Sequence, residues 1–121
     1  MHELKSVEIK AFVPARDYEL SKQFYSDIGF VMASDSGGIA YFHHDNCSFL
    51  LQDFYQKPHA SNFMMHWLVE DVDAWYERLQ SRGIATKYQV RLSEPQDQPW
   101  GMRDFTLDDP SGVLWRIAQN I

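Results

Sequence analysis

Five histidines, one cysteine and 17 carboxylates set against 11 basic side chains are the reactive inventory of this chain, and their spacing limits what they can do together. His43 and His44 are adjacent and sit beside Asp45-Asn46, a turn that would leave them exposed; His2 is next to the N-terminus, His59 lies in a polar stretch, and His66 stands alone in an apolar run. No His-x-x-x-His or similar spacing occurs, so no single element presents two imidazoles to one metal ion. Glu8 and His66 are of the types that can act as a general base or contact a ligand; a hydrogen-bonded wall residue is the alternative for His66. Arg116 can only bind, because a guanidinium has no lone pair to donate. Cys47 has no second cysteine to pair with inside the chain. Trp100 is flanked by Pro99, which fixes φ, and Gly101, which frees it, so the indole is expected at a defined place on a loop rather than inside a regular element.

The elements that must position these groups can be read from periodicity. Residues 7–13 alternate, with Val7, Ile9, Ala11 and Val13 on one face and Glu8, Lys10 and Phe12 on the other, which predicts a strand with an apolar back and a mixed front. Asp17 is an N-cap, Leu20, Phe24 and Ile28 form a helical stripe, and Gly29 closes the helix. Three short strands follow, over 30–34, 39–43 and 47–52, separated by turns at 35–38 and at Asp45-Asn46. Asp53 to Asn62, with Pro58, is polar and irregular and reads as a linker.

The pattern then restarts: a strand over 63–69, an N-cap at Asp71, a stripe of Val72, Trp75 and Leu79, and Gly83 closing the helix. The two caps and the two glycines are each offset by 54 residues, which predicts an internal βαβββ repeat. Its remaining strands are expected over 85–92, 102–107 and 113–118, with Asp109-Pro110-Ser111-Gly112 as the last turn. The fold class is therefore α+β: one domain over 1–121, with module one at 5–53, a linker at 54–62 and module two at 63–119. Each helix would cover one face of its sheet and leave the other open. The mixed fronts (Glu8, Lys10, Phe12; Met64, His66, Leu68; Leu114, Arg116, Ala118) would line a shared cavity around which the mixed sheets curl. Trp67, Trp75 and Trp115 have helix-facing parity and are expected in the core.

The bulk numbers bound the partners. At 121 residues with 45% hydrophobic and 15% aromatic content, the chain can bury a real core and has rings to spare for a cavity. A formal charge of −6 disfavours nucleic acid and suits neutral or cationic partners. The N-terminal Met1-His2-Glu3-Leu4-Lys5 lacks an apolar signal region, and no run approaches the ~20 apolar residues of a spanning helix; a cytoplasmic protein without a membrane partner is expected.

The repeat with its Asp-Pro-Ser-Gly turn resembles the vicinal oxygen chelate superfamily of glyoxalases, extradiol dioxygenases, and fosfomycin and bleomycin resistance proteins, over nearly the whole chain. Val13-Pro14-Ala15-Arg16-Asp17, Phe24-Tyr25-Ser26-Asp27-Ile28-Gly29-Phe30 and Asp97-Gln98-Pro99-Trp100-Gly101 are most similar to the bleomycin resistance branch. The resemblance implies a homodimer with cavities at its interface. It also implies metal positions, in the catalytic members, at Glu8, Met64 and Arg116, with a fourth near Leu50 to Gln52. A thioether and a guanidinium do not make a hard divalent site, so no metal and no cofactor are expected. Glu8 and Arg116 would instead meet across the dimer, or find other partners.

The resemblance implies a role for Trp100, since in the bleomycin resistance branch the corresponding Trp stacks on a planar part of the drug. Its usual companions are absent, since residues 33–38 carry no aromatic ring and His66 replaces a cavity Trp; Phe12, Phe42, Phe49 and Phe63 are the rings that could rebuild a pocket. The expected ligand-binding set is Trp100, His66, Glu8, Arg116, Phe12 and Met64. The expected function is sequestration of a planar aromatic compound, for which the acidic balance allows a cationic one, without catalysis. The alternative is a diverged enzyme of the superfamily, a lyase or isomerase using Glu8 or His66 or an unrecognised metal site.

Overall fold

A computed structural model describes residues 3–121, so His2 lies outside the described residues. The chain runs β1 (Phe12–Pro14), α1 (Tyr18–Ile28), β2 (Val31–Ser36), β3 (Ile39–His44), β4 (Cys47–Gln52), α2 (Lys57–Ser61), β5 (Met64–Leu68), α3 (Val72–Ser81), α4 (Ile84–Tyr88), β6 (Gln96–Gln98), β7 (Met102–Asp108) and β8 (Leu114–Asn120). Two mixed four-stranded sheets result, ordered β1-β4-β3-β2 and β5-β8-β7-β6. In each, the first strand lies parallel to the last and the other pairs are antiparallel, and neither sheet closes. No helix of the described residues is long and apolar enough to cross a membrane.

Local chemistry accounts for the element ends. Asp17 Oδ1 accepts from Leu20 N at 3.1 Å and Asp71 Oδ1 from Ala74 N at 3.0 Å, each satisfying an orphan N–H of a helix start. Gly29 ends α1 at φ 123° with the Trp75 ring 3.4 Å from where a Cβ would stand, so its lack of a side chain serves both backbone and packing. Gly37 and Gly38, both at positive φ, form the two-residue turn between β2 and β3.

The helix-facing sides of the two sheets merge into one core. Tyr25 of α1 is its centre, with its ring 4.8 Å from Phe49 of β4 and 5.6 Å from Trp115 of β8. Phe30 and Trp67 add a second crossing at 4.7 Å. A polar tether runs alongside: Tyr25 Oη donates to Asp109 Oδ2 at 2.6 Å and accepts from Trp115 Nε1 at 2.9 Å. Asp109 Oδ1 accepts from the Ser111 and Val113 amides, and Ser111 Oγ accepts from Arg16 N. The last turn of module two is thus held by the start of module one.

Several expectations are corrected. The strand expected over 7–13 shrinks to Phe12–Pro14, and Val7 and Ile9 are 94% and 95% exposed instead of lying under the helix. The parallel register accounts for Val7, because Phe12 pairs with Leu50 and Val7 would stand opposite Asp45 in the turn before β4; it does not account for Ile9, which would stand opposite Cys47. Leu20 is largely exposed, and α1 buries Ser21, Phe24, Tyr25 and Ile28. The strand expected over 85–92 is the helix α4, in which Ile84 and Tyr88, one turn apart, are the buried pair; only Leu92 makes an isolated bridge, to Leu107. The polar stretch at 54–62 contains α2. Phe42 and Phe49 are core residues and not pocket walls.

Candidate ligand-binding surface

Because the helix-facing sides form the core, the opposite face of each sheet is open, and alternation along the strands decides what it carries. On sheet two, β5 and β8 pair Met64 with Leu114, His66 with Arg116 and Leu68 with Ala118. The next pairing sets Arg116 beside Thr106 of β7. His66, Arg116 and Thr106 therefore form a row across one face, with Met64 and Leu68 exposed on either side of His66. Trp100 sits at the tip of the hairpin joining β6 to β7, where Gln98 pairs with Met102 and Gly101 takes φ 84°. The indole is 59% exposed, as a rigid corner without a burying partner would leave it.

Phe12 and Glu8 belong to sheet one. Phe12 lies beside Leu50 and is exposed. Glu8 is bound on this open face by three donors: Tyr41 Oη at 2.5 Å, Ser48 Oγ at 2.9 Å and Lys10 Nζ at 2.9 Å. The Tyr41 hydrogen bond, followed by those of Lys10 and Ser48, draws its carboxyl down to about 2, well below the usual carboxylate range. The six residues singled out in the sequence therefore fall into two sets on two surfaces of one chain. Glu8 and Phe12 stand on the first; Met64, His66, Arg116 and Trp100 stand on the second.

Arg116 has a partner within its own chain, so neither it nor Glu8 is left unpaired. Its Nη1 donates to Asp104 Oδ2 at 3.0 Å, and Asp104 Oδ1 accepts from Gln98 Nε2 at 3.0 Å. Asp104 is 2% exposed and was not among the sequence candidates. The available signal was its parity: it alternates with Thr106 on the open face of β7, where a buried carboxylate needs a cation.

The donor set does not fit the hard divalent ion of the superfamily's catalytic members. Glu8 is already bound by three donors, Met64 offers a thioether, and Arg116 offers nothing. Among the described residues no group of three or more His, Cys, Asp or Glu side chains is placed to hold a metal ion. His44, expected to be exposed, packs edge-on against Trp75 at 5.0 Å and Trp67 at 5.7 Å. These rings line an open groove of about 740 Å³ with Cys47, Glu70 and Arg78, away from the six candidates.

Comparison with known proteins agrees with this architecture. A bleomycin resistance protein of Klebsiella pneumoniae is 30% identical over 115 residues, covering 89% of this chain and 88% of that protein. A bleomycin-binding protein solved in complex with bleomycin superposes with a TM-score of 0.80 at 25% identity, covering 96% of this chain and 100% of that one. An antibiotic binding protein from Streptomyces sp. CB03234 gives a TM-score of 0.79 at 27% identity, covering 99% and 100%. The model of the Glyoxalase/Bleomycin resistance protein/Dioxygenase superfamily matches residues 7–117, and the chain belongs to that superfamily.

Proposed function

We propose that this protein binds a bleomycin-type or other planar antibiotic and holds it without chemical change, on open sheet faces brought together in a homodimer. The observation that carries this reading is Trp100, a large ring kept exposed at the tip of a hairpin whose Gly101 conformation fixes its position. Stacking on such a ring uses area at little cost in side-chain freedom. The relatives described above, one a resistance protein and two binders of antibiotics, support the ligand class. His66, Met64, Phe12 and Arg116 supply the surrounding contacts, and the second copy supplies the opposite wall.

Of the two bases open to the enzymatic alternative, Glu8 and His66, the first is poorly suited. A Glu8 carboxyl drawn down to about 2 by three donors gives up little by staying ionised and accepts a proton poorly. Titration of tryptophan fluorescence with bleomycin is expected to saturate at one equivalent per chain, with the drug recovered unaltered. Trp100→Ala is expected to weaken binding by about 2 kcal/mol, roughly thirtyfold. A flat titration with bleomycin and with a panel of planar antibiotics would reject the proposal.

A further inference from the structure

The buried carboxylate of Asp104 reaches two side chains of the candidate site at once. One oxygen accepts from Gln98, the residue that opens the hairpin carrying Trp100, and the other from Arg116, the centre of the open-face row. Asp104 is 2% exposed whereas the Arg116 side chain is 27% exposed, so the carboxylate is covered while part of the arginine remains accessible.

Two other cations near these faces also have carboxylate partners, in more exposed pairs. Lys10 pairs with Glu8 at 2.9 Å, and Arg91 pairs with Asp108 at 2.6 Å. An anionic ligand would find each of these three cations already paired with a carboxylate, while a planar cation would meet the exposed rings.

We propose that Asp104 is the specificity-determining positioning residue of this surface: it locks the Trp100 hairpin to Arg116 and cancels the guanidinium charge, so that the site takes planar cations and refuses planar anions. The proposal rests on the reading of the open face of sheet two as the ligand surface. Asp104 itself does not touch ligand; it acts through Arg116 and Gln98.

Two dyes of opposite charge test it: proflavine, a planar cation, and naphthalene-2-sulfonate, a planar anion. The native protein is expected to bind the cation in preference. Asp104→Asn keeps the shape and uncovers the Arg116 charge, so the ratio of cation to anion affinity is expected to fall about tenfold or more, with cation binding now strengthened by added salt. Pairing Asp104→Asn with Arg116→Gln removes both charges and is expected to restore the native ratio, which a purely structural role of Asp104 would not do. It also preserves the test if the single variant folds poorly. An unchanged ratio in Asp104→Asn, or no recovery in the double variant, overturns the charge-cancelling role alone. Binding of neither dye to the native protein, or binding that Trp100→Ala leaves untouched, rejects the open-face reading itself and this proposal with it.

Discussion

Asp109 shows how one residue of a turn can tie sequence, fold and pH response together. It opens the Asp-Pro-Ser-Gly turn, but its carboxylate also receives Tyr25 Oη and two backbone amides inside the core. Burial pushes this carboxyl up to about 6, against hydrogen bonds that pull it down. Its ordinary value, the one it regains on unfolding, is near 3.9. A folded pKa above the unfolded one means that the group's contribution is full below about 4 and is lost as pH rises through about 6, an effect of up to roughly 3 kcal/mol. Denaturant titrations between pH 4 and 6.5 should therefore show native stability declining relative to Asp109→Asn, which carries no titrating group there. Parallel pH profiles for the two proteins would contradict this account. Glu8 behaves in the opposite sense: its lowered pKa makes its contribution present above the usual carboxylate range and lost as pH falls toward 2.

At the level of elements, the Trp100 hairpin invites a test that separates positioning from packing. Gly101 holds φ 84°, and a Cβ there would meet nothing within 4 Å, so Gly101→Ala strains the backbone without a clash. The cost is expected at about 1 kcal/mol of stability, with the larger effect on ligand affinity, because the relaxed hairpin displaces the indole. Calorimetry and bleomycin titration of the same variant would measure both, and an affinity loss no larger than the stability loss would argue against a positioned ring. The elements that could be read from sequence are those whose ends are written in local chemistry. Asp17 and Asp71 cap with their own side chains, and Gly29 and the Gly37-Gly38 pair are required by backbone angle. What could not be read depended on distant partners. The alternation of residues 7–13 places Glu8 on the side of Tyr41 and Ser48 but wrongly buries Val7 and Ile9, and it does not say that β4 begins only after the position Val7 would need. The strand expected over 85–92 rests on the repeat, which asks for three strands after α3, while the i, i+4 spacing of Ile84 and Tyr88 is helical and the local signal wins. For Asp104 the parity with Thr106 gives the face, but its burial follows only from the contact with Arg116.

Across the whole molecule, Phe12, Met64, Leu68 and Trp100 stay exposed on the open faces, an arrangement that a second copy would cover. Sedimentation should give a dimer at micromolar concentration. Met64→Lys with Leu68→Asp, both on the exposed side of β5, should shift it toward the monomer while leaving the core intact; an unchanged dimer would place the interface elsewhere. The single core shared by both sheets carries a different consequence. Here Tyr25 of the first unit lends its ring to Trp115 and its hydroxyl to Asp109 of the second, while Arg16 N holds Ser111. Either unit alone would expose that ring and leave a carboxylate or a phenol without its mate. Neither half is therefore a self-sufficient folding unit: a chain cut between β4 and β5 would leave an open core on both pieces.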